Sequence, residues 1–381
     1  MTFAHETTYP SQLLLVVFAC SEKNPQKSTP LTQFSFTISD TIFVDPGDEI
    51  LYLQSELHGA HWSDDGSYLY NFNRHDNALE IIDLDRFKLD KKIHFEKEGP
   101  HGTGRVQSLF YAGDGNIAVS EFHQIGLFDI HASKLATFKI RSNVFKKDTL
   151  LPNEAMDVTG VLDENGQHYI SYYTTGFGNP VGIAKLHLIE NALTKTPIPA
   201  LADWSKHRLE WSDNGGSSAA YPSIHLHQIN SKVLLSNEAK NELFVYDPTN
   251  EAIAHLTFHS ELMPDSRSPL STTSVHSEEE FEEVLKEFSH QVRFMHFTYD
   301  KANKRYYRFS QFVVNAGAEN VAFKPLLTVF DQNFKQLYET TELPIEKIYT
   351  SYFAKAGKLY LYENIMDEMA FIVLNVEEEN P

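Results

Sequence analysis

The feature that most constrains this chain is a tight turn followed by a short β-rich run, repeated six times in order along 381 residues. The turns are Asp64-Asp65-Gly66, Gly113-Asp114-Gly115, Asp163-Glu164-Asn165-Gly166, Asn230-Ser231, Lys301-Ala302-Asn303 and Lys355-Ala356-Gly357. The runs after them are Tyr68–Phe72, Ile117–Glu121, Tyr169–Tyr173, Val233–Asn237, Tyr306–Ser310 and Leu359–Glu363. A strand-like segment also precedes each turn, from His58–Trp62 in the first copy to Tyr349–Phe353 in the last. Gly, Asn and Asp between two such runs are the strongest short-range hairpin signal.

A third run follows in each copy. Four of the six end in Asp: Ile81-Ile82-Asp83, Leu127-Phe128-Asp129, Phe244-Val245-Tyr246-Asp247 and Thr328-Val329-Phe330-Asp331. The last copy carries Asn375 there, and the third departs with Ala184-Lys185-Leu186-His187. Asp and Asn suit a strand end because their side chains bond the backbone of the turn ahead. Fourth runs follow, as in Leu89–Phe95, Leu135–Ile140, Ala252–Phe258 and Gln336–Leu343. Four meandering strands at this spacing describe one blade of a propeller.

The sixth copy stops at Val376 with three runs, and an unassigned β-rich segment, Phe34–Val44, precedes the first. A ring without open edges results if the N-terminal strand completes the last blade. The expected fold is therefore all-β: a six-bladed β-propeller of four-stranded antiparallel blades over residues 34–376, with an acidic tail at 377–381. A β-sandwich or two unrelated β domains are the competing architectures. One helix is expected between blades four and five, where Ser277-Glu278-Glu279-Glu280 forms a capping box and Phe281, Val284, Leu285 and Phe288 share a face.

The charge balance limits the partners. Lys and Arg number 32 against 52 Asp and Glu, a net charge of −20. Nucleic acid and anionic membrane surfaces repel such a chain, so neither is expected as a charge-driven partner. The single cysteine, Cys20, allows no intrachain disulfide.

Cys20 closes an apolar run, Leu13–Ala19, and a polar stretch begins at Ser21. Val17-Phe18-Ala19-Cys20 resembles the lipobox of a bacterial lipoprotein signal. Residues 1–20 then form a signal cut before Cys20, whose thiol carries a lipid. The run is too short to cross a bilayer as a helix. Residues 21–33, rich in Ser, Pro, Lys and Gln, read as a flexible tether. One departure stands out: residues 1–12 hold Glu6 and no Lys or Arg, where such signals carry basic residues. The other reading of this run is a buried strand with Cys20 as a core thiol.

In a propeller, loops joining second to third strands and loops joining blades share one face. Here those loops hold the long insertions, 141–155, 197–220, 259–291 and 311–325. Functional residues concentrate on long loops set on a rigid scaffold. The ligand-binding candidates on this face are Arg74, His75, His101, Arg105, His123, Trp204, His207, Trp211 and Asn214. Arg, His and Trp there suit an anionic or sugar-like ligand through hydrogen bonds and stacking. Each could equally be a surface residue or a loop anchor.

No catalytic motif emerges and no cofactor is indicated. Asn214-Gly215-Gly216-Ser217-Ser218 is not a nucleophile elbow, and Gly99, Gly102 and Gly104 do not have the order of a phosphate loop. His225 and His227 alternate on a strand and share a face, but two histidines alone do not define a metal site.

The lipobox, the six copies and Glu98-Gly99-Pro100-His101-Gly102-Thr103-Gly104 between the first two blades together resemble an uncharacterised Bacteroidota lipoprotein family. The resemblance implies a domain of unknown function with a TolB-like six-bladed propeller, at the cell envelope, on the periplasmic side or the outer-membrane surface. It carries no catalytic residue. The expected role is a monomeric, non-enzymatic module that binds an envelope protein or a glycan through its long-loop face. The alternative is a hydrolase or lyase acting on a saccharide or peptide at the mouth of the propeller channel.

Overall fold

A computed structural model describes residues 33–379, apart from 55, 64, 113–114, 142–143, 164, 177, 213–216 and 315–320. The chain is all-β, and six antiparallel sheets follow one another along it. The first comprises His61–Trp62, Tyr68–Asn73, Ala78–Asp83 and Lys88–His94. The second comprises Ser108–Tyr111, Ile117–Ser120, Gln124–Phe128 and Lys134–Lys139. The third, Glu154–Leu162, His168–Thr175, Asn179–His187 and Ala192–Pro197, gains a short parallel edge strand, Lys146–Lys147. The fourth comprises Ile224–Ile229, Lys232–Asn237, Glu242–Asp247 and Ala252–Thr257. The fifth comprises Arg293–Asp300, Arg305–Val313, Phe323–Asp331 and Gln336–Thr340.

The sixth sheet takes three strands from the end of the chain, Tyr352–Lys355, Lys358–Ile365 and Glu368–Glu379, and its fourth from the beginning, Gln33–Phe43. The two termini pair antiparallel from Gln33 opposite Glu379 to Phe43 opposite Ala370, with a bulge between Ile38 and Asp40. One expectation needs correcting here. Glu377, Glu378 and Glu379 are not a free acidic tail but the end of a strand, because Ser35, Phe34 and Gln33 satisfy their backbone groups. Arg305 adds an ion pair to Glu378 and lays its guanidinium over the Phe34 ring.

Local chemistry explains the hairpins. Asn230 and Ser231 both hold positive φ, +50° and +60°, the conformation that matches the twist of a two-residue hairpin. At Gly166, φ is +63° and an added Cβ would lie 2.7 Å from the Ala112 carbonyl oxygen, so only glycine fits. The Asp at each third-strand end caps the turn ahead. Asp83 accepts from the amides of Asp85 and Arg86, Asp129 from His131 and Ser133, and Asp331 from Asn333 and Lys335.

Six apolar clusters hold successive sheets together. Tyr70, Phe72 and Leu79 meet Leu109 and Val119 between sheets one and two. Phe110 and Ile125 meet Met156 and Tyr169 between two and three, and Ile170 and Tyr172 meet Leu235 and Phe244 between three and four. Leu234 and Leu243 meet Phe297 and Phe330, and then Phe309 and Leu327 meet Tyr352 and Leu361. The last cluster joins sheet six to sheet one through Phe353, Tyr360, Phe371, Leu69 and Ile82. A fully buried side chain of this size contributes about 1.5–3 kcal/mol.

Two insertions fold against each other. A 3-10 segment, Pro199–His207, leads into Leu209–Ser212, which pairs with Ser217–Ala220 and with Ser274–Val275. The predicted helix forms at Glu278–Ser289, capped by Ser277, whose hydroxyl accepts the Glu280 amide at 3.2 Å. Its Phe281, Val284 and Phe288 cover Leu209, Leu270, Val275 and Trp211.

Candidate functional site

Three segments meet at the boundary between sheets three and four. The loop after His168–Thr175 brings Gly178 and Asn179, the loop after Lys232–Asn237 brings Glu238, and the connection between the sheets brings Trp204, Arg208 and Tyr221. All of them but Glu238 line a shallow cleft with Pro222, Ile224 and Asn237. Tyr221 is about half exposed, and the Arg208 guanidinium lies 5.4 Å from its ring centre. Arg208 also donates to Glu210 at 2.6 Å, which fixes the guanidinium over the ring. Asn179 Oδ1 is buried without a protein partner among the described residues. An exposed aromatic face beside a held guanidinium and amide groups can stack on a ring and bond its polar substituents.

The cleft continues inward to a charged group. Ser223, next to Pro222, donates its amide to Glu238, and Arg293 binds Glu238 Oε1 at 2.6 and 2.7 Å. Arg267, itself buried, lies 3.6 Å from the other oxygen and donates Nε to the Val292 carbonyl. Burial works to raise the Glu238 pKa, but the two arginines outweigh it and hold the carboxyl below its ordinary value.

Beyond Glu238 lies a group of histidines on first strands. His225 and His227 stand 6.5 Å apart between ring centres, and His296 is 6.0 and 5.0 Å from them. His296 stacks on Tyr352 at 4.2 Å, and its Nε2 is 3.2 Å from the Tyr352 carbonyl. His61, from the first sheet, is close enough to His227 to influence its titration. All four histidines are partly buried. Desolvation depresses the pKa of all four, His61 to about 4 and His227 to about 3. They are neutral at pH 7. Among the described residues no three His, Cys, Asp or Glu are arranged to hold a metal ion.

The nine candidates read from the sequence separate. Trp204 is buried in the floor of the cleft, its Nε1 donating to Glu242 at 2.6 Å and its ring edge-on to Phe244. His207 is buried one turn on, and Trp211 packs against Phe281 of the helix. All three anchor the insertion, and of them Trp204 also lines the cleft. Arg74, His75, His101, Arg105 and His123 are exposed on the first two sheets and their loops. No hydrogen bond or ion pair among the described residues ties them to the cleft; Arg74 instead reaches the Gln107 carbonyl at 3.3 Å. Asn214 and Cys20 lie outside the described residues. Sequence reasoning missed Arg208, Tyr221, Glu238, Arg293, His61 and His296, which are distant in the chain and meet only in the fold. A larger cleft of about 160 Å³ lies between sheets one and two, lined by Tyr68, Tyr70, Asp90, Tyr111 and Ile130. It sits among the short hairpin turns, away from the insertions.

Comparison with known proteins gives family but not activity. The family model described as a domain of unknown function, DUF4221, matches residues 33–341. None of the curated proteins compared matches the chain. The crystal structure of a DUF4221 member from Bacteroides vulgatus is similar at 14% identity and a TM-score of 0.66, covering 92% of this chain and all of that one. The β-propeller domain of Myceliophteria thermophila Cps50 (Swd1) matches at 9% identity and a TM-score of 0.38, covering 90% of this chain and all of that domain. No helix among the described residues is long and apolar enough to cross a membrane. With more than three quarters of its length under the family model, the chain belongs to the DUF4221 family of domains of unknown function.

Proposed function

We propose that the six sheets are the blades of one propeller and that its long-loop face is a binding surface for a protein or glycan of the cell envelope. Two observations support the ring. Apolar clusters run from each sheet to the next and return from the sixth to the first. His61 of sheet one also comes within electrostatic reach of His227 of sheet four, as it does when first strands surround a common axis. The lipid on Cys20 would hold the molecule at the membrane, with the expected tether of residues 21–33 shortened at its end by Gln33, which opens the N-terminal strand.

The observation that carries the binding role is the cleft itself. Tyr221 offers an open ring, while Arg208 and the amides of Asn179 and Asn237 surround it with hydrogen-bonding groups. The carboxylate beside the cleft, Glu238, is engaged by Arg293, Arg267 and the Ser223 amide. Held ionised in this way, it suits orientation and charge balance better than proton transfer. That favours binding over the hydrolase or lyase alternative.

Thermal shift with envelope glycans and peptides tests the proposal, since a ligand of the native state raises the melting temperature. A ligand that stabilises the wild type and not Tyr221→Ala supports it. Turnover of a glycan or peptide without stable binding would favour the enzymatic alternative instead.

A further inference from the structure

The wall between sheets four and five contains a buried cation with no counter-ion. Arg308 is 1% exposed. Its guanidinium lies 4.7–5.5 Å from the ring centres of Phe258, Phe294, Phe297 and Phe330. Nη2 donates to Asn241 Oδ1, but Nε and Nη1 have no partner among the described residues. No carboxylate stands within ion-pair distance of it among those residues. The acidic groups that act on it electrostatically, Asp265 and Glu339, are engaged elsewhere. Asp265 accepts from Asn241, His259 and Ser260, and Glu339 accepts from the Glu261 amide.

A second orphan shares the face. Arg308 and Ser310 alternate on one strand, so their side chains leave the same side of sheet five, and Ser310 Oγ is fully buried without a partner. Four aromatic rings attract the guanidinium, but they offer neither a net negative charge nor acceptors in line with its free N–H groups. An unpaired buried cation and three unsatisfied polar atoms in one place are costly, and a neutral water would satisfy hydrogen bonds without balancing the charge.

We propose that Arg308 and Ser310 form a buried site for a small inorganic anion of halide size, with chloride the natural occupant. The site lies between sheets four and five and shares no residue with the cleft lining. Its role is to complete the contact between the two sheets, so occupancy appears as stability.

Two measurements on the full folded chain test it. Crystals soaked in bromide should show an anomalous peak within hydrogen-bond reach of Arg308 Nε or Nη1. The melting temperature should rise with chloride relative to gluconate at equal ionic strength, by roughly 2–3 °C per tenfold above the dissociation constant. The Arg308→Met variant should lose that difference between anions. If it does not fold, the bromide experiment on the wild type still decides. Bromide-soaked crystals with only water beside Arg308 overturn the proposal. So does a wild type whose melting temperature responds equally to chloride and gluconate.

Discussion

Mild acid should destabilise this fold through four desolvated histidines on the first strands of sheets one, four and five. His61, His225, His227 and His296 are kept neutral by burial, with His61 depressed to about 4 and His227 to about 3. In the unfolded chain each titrates near 6.5. The folded values lie below the unfolded ones, so below pH 6.5 the unfolded chain binds more protons. Their contribution to stability is therefore complete above that pH and is lost as pH falls towards the folded values. Between pH 7 and pH 5 a histidine so depressed loses about 2 kcal/mol, hence about 4 kcal/mol for His61 and His227 together. Partial access of water to these rings reduces that to about 2 kcal/mol, still a large share of a typical domain's stability. His259, whose pKa Asp265 raises, works in the opposite direction over the same window. Urea unfolding at pH 7, 6 and 5, in wild type and in the His61→Gln/His227→Gln double variant, isolates this pair, since His259 is unchanged in both. The wild type should lose stability faster than the variant as pH falls. Parallel curves would refute the assignment of these histidines as buried and neutral.

Two further perturbations test the closure and the anchor. Phe36, 8% exposed on the N-terminal strand, packs in the cluster between sheets five and six, so Phe36→Ala should cost about 3–5 kcal/mol in chemical unfolding; a loss below 1 kcal/mol would mean that the closing strand is peripheral. Cys20→Ala should abolish both processing and membrane association in cell fractionation, and unchanged fractionation would remove the lipid anchor.

The scaffold was legible because its signals are local. The turn residues, the Asp at strand ends and the Ser277 cap each act within a few residues of themselves. The N-terminal closing strand was legible by counting, since the last copy lacked a strand. The site was not legible, for two reasons. Alternation exposed the His225/His227 pair, but their companions His61 and His296 arrive from other sheets, and no periodicity links them. Trp204 and His207 looked like ligand contacts because they lie in a long insertion. A 3-10 segment with Pro at its start turns both inward instead, where Glu242 receives the indole N–H. Arg308 shows the same limit. Within a strand it reads as a surface cation, and only the aromatic residues of three other segments reveal it as buried.

The long-loop face as the binding surface is the central claim, and hydrogen exchange with a stabilising ligand bound tests it most directly. Ligand should protect backbone amides at 178–179, 204–211, 221–224, 237–238 and 293, which surround the cleft and the Glu238 group. Protection confined to the hairpin turns at 65–66, 165–166, 230–231 and 355–357 would place the ligand among the short turns and contradict the account.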